Sequence, residues 1–320
     1  MSSPSTIGRP HTAGSSSVRT AASPPASSGW RMKTEHRRRA AWLLALLALP
    51  GAAHAEPALW SVRGDGGTVW LFGAVHALKP GEFEVAGPLA AAWQEAESLW
   101  LELDPREIQT TESAATVAAR ALDPGGRGLD ELLGADAAAI HNAATAAGVD
   151  LAPFAAFEPW FVATTVTLQG LLRHGYGFES GVERVLLRRA QADSRPVHGL
   201  EQLDEQLALF DGLAPGLQRD FLRQALHEYS RIGAEFNRLA AAWQAGDDAA
   251  LAALLKQEFA PYPELAEAMV FARNRRWAGS VEELLGGDDD ALIVVGALHL
   301  VGDQGLPALL AARGYRVTRH

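Results

Sequence analysis

The sequence predicts an α/β fold in a single domain, with a central mixed sheet built from both ends of the chain and a largely helical middle. Short apolar, β-prone runs lie at residues 59–62 and 68–75 near one end, and at 291–295 near the other. Between them, residues 129–285 carry apolar side chains at three-to-four spacing, broken by Gly and Pro. The chain has 320 residues and is 48% apolar, so one domain can bury a full core.

The first 55 residues are expected to lie outside this domain. Residues 1–31 are rich in Ser, Pro, Thr and Ala, which predicts disorder or a misassigned upstream segment. Residues 32–55 are typical of a secretory signal peptide, with a positive start, a short apolar run and a cleavage site between Ala55 and Glu56. The domain at 56–320 is therefore expected to be periplasmic or secreted, and tethered to a membrane only if the signal stays uncleaved.

The composition excludes several classes of function. The absence of cysteine excludes disulfides, thiolate metal sites and a cysteine nucleophile. Removing residues 1–55 takes away seven of the 28 Lys and Arg residues and one of the 38 acidic residues, which leaves a net charge near −16. Such a chain is not expected to bind nucleic acid or an anionic membrane. The expected partner is a peptide or small-molecule substrate.

The predicted elements follow one another in a simple order. The first two strands form a hairpin around a glycine-rich turn at 64–67, and the helix that follows has Pro88 in its first turn. Strands are predicted at 59–62, 68–75, 99–105, 195–201, 291–295 and 315–318. Helices are predicted at 87–98, 129–147, 153–173, 179–192, 201–212, 215–245, 247–257, 263–285 and 306–313.

Two of the predicted strands end in the same motif, Gly-x-x-His. The first motif runs from Gly73 to His76, and the second runs from Gly296 to His299. A glycine at this position allows a sharp turn and a close backbone approach. The repeated motif predicts two half-sites that converge on one centre, and it indicates a pseudo-symmetric duplication of the two ends.

A metal centre is the chemistry that these residue types favour. Glu102 interrupts an apolar strand, where a carboxylate is costly unless it is paired or ligates something. Two imidazoles and one carboxylate suit Zn, Mn or Co and leave a position open for water. The sequence therefore predicts that His76, His299 and Glu102 bind a divalent metal ion.

These motifs together resemble the TraB/GumN family over about residues 59–320. That family includes the TIKI proteins of animals, described as metal-dependent proteases, and bacterial TraB-type factors that suppress peptide pheromones. The resemblance implies an α/β fold whose two motif histidines and strand glutamate group at an active centre, with two supporting residues. The residues that carry it are Gly73 to His76, Glu102, Glu201 after Gly-Leu, Arg273-Asn274, and Gly296 to His299.

The expected function is a metal-dependent hydrolase, with peptides as the expected substrate. A metal-bound water would attack a carbonyl while a second carboxylate moves the proton, and Glu201 is the candidate base. Arg273 is the candidate to hold a substrate carboxylate or a developing oxyanion. The chain contains neither a Gly-x-Ser-x-Gly elbow nor a His-Glu-x-x-His helix.

Other interpretations remain open at this point. A non-catalytic protein could bind a peptide, or a metal-bearing ligand such as haem, in the same cleft. Glu102 could form a buried ion pair with Arg273, and Glu201 could be an acid favoured by a helix N-terminus. The acidic run at 288–290 lacks the spacing of a calcium loop and predicts a solvated turn. His141, His174, His227 and His320 are assigned no chemistry, and Trp160 and Trp243 are expected in the core.

Overall fold

The predicted mixed sheet is present in the computed structural model, which describes residues 56–320 except residues 105, 107 and 109. The strands of this sheet lie in the order β4-β3-β5-β2-β1-β6. The four strands β4, β3, β5 and β2 are mutually parallel. Strand β1 runs antiparallel to β2, and β6 runs antiparallel to β1. The strands are β1 (Leu59–Arg63), β2 (Thr68–Ala74), β3 (Ser98–Leu101), β4 (Val197–Gly199), β5 (Ala291–Gly296) and β6 (Arg316–Arg319).

Both ends of the described chain enter this sheet, as the sequence predicts. The hairpin of β1 and β2 closes with a bond from the Gly64 N–H to the Gly67 carbonyl at 3.3 Å. The last strand, β6, pairs antiparallel with β1. Residues 56–320 therefore form one α/β unit, whereas the expected disordered segment, signal peptide and cleavage site lie in residues 1–55, outside the described residues.

The central strands are apolar on both faces because helices cover both sides of the sheet. In β2, Trp70 and Phe72 join one core cluster with Trp93, whereas Val69 and Leu71 point to the opposite cluster with Trp277. Side chains of a strand alternate between faces, so a continuous apolar run fills two cores at once. In β5, Leu292 and Val294 join the first cluster, and Ala291, Ile293 and Val295 join the second.

Helices occupy the middle of the chain, and a separate apolar cluster holds part of them together. The cluster includes Leu133, Ile140, Val162 and Leu222. The helices are α1 (Gly87–Glu95), α2 (Thr111–Ala121), α3 (Leu129–Leu133), α4 (Ala137–Ala147), α5 (Pro159–Arg173), α6 (Val182–Ala192), α7 (Leu203–Asp211), α8 (Pro215–Glu228), α9 (Ile232–Gln244), α10 (Asp248–Phe259), α11 (Pro263–Ala266), α12 (Ala272–Leu285) and α13 (Leu306–Ala312). Among the described residues, none of these helices has the length and apolarity that crossing a membrane requires.

Several helix predictions are wrong in detail; the predicted helix at 129–147, for example, is interrupted by a 3₁₀ helix at Gly134–Asp136. The predicted helix at 215–245 is two helices, because residues 229–231 turn the chain so that α9 packs against α5. The packing is close, since a Cβ on Gly170 of α5 would lie 3.0 Å from Ile232 Cγ2 of α9. No helix was expected at α2, because its residues are mostly small or polar and only Ser113 and Ala121 are buried. The predicted helix at 263–285 contains a π-helical turn at Glu267–Phe271.

Candidate metal and catalytic site

The parallel strands deliver the predicted site residues to one edge of the sheet. β5 lies between β2 and β3, and all three run in the same direction. His76 follows β2, Glu102 follows β3 and His299 follows β5, so each arrives at a carboxyl end. In open α/β sheets, ligands bind beyond these ends. The structure thus brings the three predicted metal ligands to the same region.

The two motif glycines are needed for close approach rather than for a left-handed backbone. Gly296 has φ −50° and ψ 134°, which other residues also adopt. A Cβ on Gly73 would lie 3.1 Å from the Ala297 Cα atom, and Gly73 is paired with Val295 in the neighbouring strand. The Gly73 carbonyl also accepts a 2.7 Å hydrogen bond from the buried Trp243 indole, which adds to the predicted core role of that tryptophan.

The first histidine, His76, is held by a carboxylate from helix α6. Its Nδ1 lies 2.6 Å from Glu183 Oε1, and 56% of the His76 side chain is exposed. Helix α6 can approach this closely because it begins after Gly181, where a Cβ would lie 1.9 Å from the His76 carbonyl oxygen. Since the carboxylate accepts from Nδ1, the Nε2 atom of His76 is directed to the centre of the site.

The second histidine, His299, lies in a 3₁₀ helix at Ala297–Leu300 and is buried. Its Nδ1 donates to Asn274 Oδ1 at 2.6 Å, and the Asn274 amide donates to the carbonyls of His299 and Gln304. Its Nε2 lies 3.2 Å from Arg273 Nη1. A guanidinium can only donate, so His299 is neutral with its proton on Nδ1 and a lone pair on Nε2.

Glu102 connects the two histidines. Its Oε1 accepts from the Gly296 N–H at 2.7 Å and lies 3.8 Å from His299 Nε2. Its Oε2 accepts from Arg273 Nη2 at 2.6 Å. The ion pair between Glu102 and Arg273, left open by the sequence, is therefore formed, and it leaves Oε1 directed to the histidines.

The protonation equilibria of the three residues are shifted in different directions. The carboxylate of Glu183 raises the pKa of His76 to about 9, and Glu102 adds to this shift. Burial, with Arg273, lowers the pKa of His299 to about 4, although Glu102 opposes this shift. Burial alone would raise the pKa of Glu102, but His299, Arg273 and His76 outweigh it and lower that pKa to about 2.

Glu201 lies beside this group, and both oxygens of its carboxylate accept hydrogen bonds. It is 3% exposed, and it follows β4 just as Glu102 follows β3. Its carboxylate accepts from Arg273, from Arg276 Nη2 at 2.6 Å and from Gln206 Nε2 at 3.1 Å. The helix N-terminus is therefore not its main partner. Its contacts hold the Arg273 guanidinium between Glu102 and His299.

The geometry fits a metal ion in one respect and opposes it in another. A Cβ on Gly296 would lie 3.3 Å from Glu102 Oε1, 3.4 Å from His76 Nε2 and 3.5 Å from His299 Cδ2, so the three side chains surround one point. Both Nδ1 atoms are bonded to fixed acceptors, as is usual for histidines that bind metals. However, Arg273 contacts His299 Nε2, and within residues 56–320 as described no three His, Asp or Glu side chains form a group that could already hold a metal.

A cavity of about 440 Å³ opens directly onto this group. His76, Glu102 and Glu183 form part of its wall, and Gln206 reaches it from α7. The rest of the wall is largely apolar, from Leu101, Leu103, Ile108 and Phe178. A ligand in this cavity would lie against both an apolar surface and the polar centre.

Sequence reasoning missed Glu183 and Arg276, which complete the site. Glu183 is an acid in the first turn of an ordinary amphipathic helix, and nothing in its own sequence context marks it. Gly181 is the one available signal, because it permits the helix to meet the His76 loop. Arg276 lies one turn after Arg273, so helical spacing from Arg273 could have indicated it.

The fold and the site define an α/β protein with a histidine, glutamate and arginine centre at the carboxyl edge of its sheet. Residues 58–319 match the family model described as the TraB/PrgY/gumN family. The chain therefore belongs to the TraB/PrgY/gumN family, as its motifs predict. Searches of curated proteins and of solved structures give no match.

Proposed function

We propose that this chain is a metal-dependent hydrolase that acts on peptides, with His76, His299 and Glu102 as the ligands of a divalent Zn, Mn or Co ion. The observation that carries the proposal is the convergence of Glu102 Oε1, His76 Nε2 and the His299 ring within 3.3–3.5 Å of one point. The donor set of two imidazoles and one carboxylate suits these ions. Cleavage in the periplasm or after secretion would agree with the predicted signal peptide.

The metal, when bound, would polarise a carbonyl and lower the pKa of a water molecule. The side chains of the protein position the metal ligands and the substrate. Glu183 and Asn274 fix the two imidazole rings and keep their Nε2 atoms directed inward. The Gly296 N–H, at the end of β5, donates to Glu102 Oε1 and holds that carboxylate in place. The apolar wall of the cavity excludes water from the bound substrate.

The role of base for Glu201 stays a prediction, and its contacts support a positioning role better. Both of its oxygens already accept bonds from arginines, and the carboxylate is buried. Glu183 is the stronger candidate to accept a proton, since it lines the cavity and bonds to His76 through Oε1. Arg273 would give up its 3.2 Å contact with His299 Nε2 when a metal binds, and it then becomes available to a substrate oxyanion.

The Arg273 contact also favours a second candidate function. If the guanidinium keeps its position between Glu102 and His299, the centre is a closed ionic network. The chain would then be a non-catalytic binder of a peptide, or of a metal-bearing ligand such as haem, in the same cavity. Metal content separates the two functions.

The first experiment measures metal in the chain that starts at residue 56, purified without chelator and without a histidine tag. We expect near-stoichiometric metal, cleavage of a peptide pool, and loss of both in His76→Ala and in His299→Ala. His141→Ala is the matched control, because His141 is also exposed and bonded to a carboxylate, Asp130, at 2.6 Å. A wild-type chain that takes up no Zn, Mn or Co would refute the hydrolase and leave the binder.

A further inference from the structure

A second cavity of about 340 Å³ adjoins the first, and three arginines line it. Glu179 and Arg184 line both cavities, so the two cavities are adjacent. Arg106 reaches the second cavity from the segment after β3, and Arg188 reaches it from α6. The first cavity lies against the histidine centre, and the second lies beside it.

The charge of this second cavity is opposite to that of the chain. Its lining holds three guanidinium groups and one carboxylate, Glu179, and a further carboxylate, Asp104, pairs with Arg106 from outside the lining. The chain from residue 56 has a net charge near −16, with 21 of the 28 Lys and Arg residues and 37 of the 38 acidic residues. Positive charge collected at one place on an acidic protein attracts anions to that place.

Arg184 and Arg188 retain donors for a ligand. Arg184 donates to Glu179 from Nε and Nη2, and Arg188 donates from Nη1 to the Glu179 backbone carbonyl. A guanidinium has five N–H groups, so each has further donors to offer. The Glu179 side chain is 74% exposed, and an exposed ion pair is weak enough for another carboxylate to replace it.

The first cavity supplies the apolar part of the same binding surface. Among the described residues, four large apolar side chains are exposed, and two of them, Ile108 and Phe178, line it. The same cavity is lined by His76 of the histidine centre and by Arg184. An apolar group would therefore be bound next to an anion.

We infer that the two cavities bind a peptide in which an apolar side chain lies beside a carboxylate, the apolar side chain against Ile108 and Phe178 and the carboxylate on Arg184 and Arg188. The carboxylate is either an acidic side chain or the C-terminus of the peptide. The inference deepens the proposed function by naming its substrate class, and it rests on that function only for the choice of a peptide.

Binding is measured on chelator-treated protein, so that turnover does not enter. The probes are fluorescein-labelled hexapeptides of Gly and Ala with one Phe. One set carries Asp or Asn on either side of Phe with an amidated end, and another carries Phe as the last residue with a free or amidated end. We expect one set to show at least tenfold tighter binding of the carboxylate peptide, which also identifies the source of the carboxylate.

Three variants make the test specific. The double variant Arg184→Gln, Arg188→Gln should reduce the preference to below threefold, and Arg188→Gln alone should give an intermediate value. Glu179→Gln should increase the preference, because it removes the competing carboxylate. Arg238→Gln is the control, since Arg238 is 56% exposed and ion-paired like Arg188 but lies outside the lining of both cavities.

The outcomes separate this inference from the proposed function. Equal binding of acid and amide peptides, a preference that survives the double variant, or no binding of any probe would each overturn the inference. Cleavage of peptides without a preference for acid would overturn it and leave the hydrolase standing. A preference lost in the double variant, in a protein that cleaves nothing, would support the inference and count against the hydrolase.

Discussion

The two Gly-x-x-His motifs place their histidines in opposite environments. His76 is exposed and bonded to the carboxylate of Glu183, whereas His299 is buried and bonded to the amide of Asn274. The pKa of the first is raised to about 9, and the pKa of the second is lowered to about 4. A local motif therefore fixes where each histidine lies, while the partner of Nδ1 and the burial of the ring decide which protonation state it adopts.

This difference predicts that the two histidines differ in their readiness to bind a metal. His299 is neutral and keeps a lone pair on Nε2 without any change in pH, which is the state that the proposed metal site requires. His76 must lose a proton before it can ligate, and the exposed position makes that exchange easy. The second motif therefore belongs to the folded core, and the first motif belongs to the cavity.

The largest expected effect is the loss of the Asn274 side chain. Asn274 is 0% exposed and bonds to His299 Nδ1 and to two carbonyls, so Asn274→Ala removes the partner of two buried groups of His299 and of the Gln304 carbonyl. We expect a loss of about 2–4 kcal/mol in the free energy of unfolding, measured with urea. Glu183→Ala should cost less than about 1 kcal/mol, because its partner His76 is largely exposed.

Asn142→Ala provides the control for the asparagine, since Asn142 lies on the exposed surface of α4. We expect a change within about 0.5 kcal/mol at this position. Equal losses for Asn274→Ala and Glu183→Ala would contradict the division between a buried and an exposed motif.

The two glycines should respond differently to the same substitution. In Gly73→Ala the new Cβ would meet the Ala297 backbone at 3.1 Å, and we expect a loss of about 1–3 kcal/mol of stability. In Gly296→Ala the Cβ would meet side-chain atoms of Glu102 and His76 at 3.3 and 3.4 Å, and these can move aside. Stability should then change by less than about 1 kcal/mol, while metal affinity falls roughly tenfold or more.

Gly279→Ala is the matched control for both glycines, because a Cβ there meets nothing within 4 Å. In the interior of α12 an alanine should raise stability by about 0.5–1 kcal/mol. A Gly296→Ala variant that binds metal as tightly as the wild type would show that the point surrounded by Glu102 and the two histidines is not the metal position.

Much of the fold and half of the site could be predicted because their signals are local. The apolar runs of β2 and β5 and the two motif histidines stand within ten residues of one another at each end. Parallel strands then bring these histidines to one edge without further information. Glu102 was also found from a local signal, because a carboxylate inside a predicted apolar strand is conspicuous, although β3 ends at Leu101 and Glu102 follows it.

The rest depends on contacts between distant segments, which periodicity does not record. Glu183 is 107 residues away from His76, and only the packing of α6 brings them together. The break between α8 and α9 contains no Gly or Pro, so it is set by the packing of α9 on α5. The positioning role of Glu201 could not be predicted for a similar reason, because Arg276 and Gln206 donate to its carboxylate from two different helices.

The smallest change in structure, Glu183→Gln, tests the comparison most directly. It keeps the shape of the His76 partner and removes its charge, so the pKa of His76 should fall from about 9 towards its ordinary value near 6.5, while the pKa of His299 stays near 4. The measurement is an NMR titration of the histidine Hε1 signals in chelator-treated protein. An unchanged His76 titration would mean that the ring does not depend on Glu183.

The same shifts set the pH dependence of stability, with opposite signs for the two motifs. A raised pKa in the folded state makes His76 stabilising below about pH 6.5, and that contribution disappears as the pH rises through about 9. The lowered pKa of His299 has the other effect, because the unfolded chain binds its proton first, so stability falls as the pH drops from about 6.5 to about 4. Glu183→Gln should remove the loss of stability at alkaline pH and leave the loss of stability at acid pH unchanged, since only the first motif depends on that carboxylate.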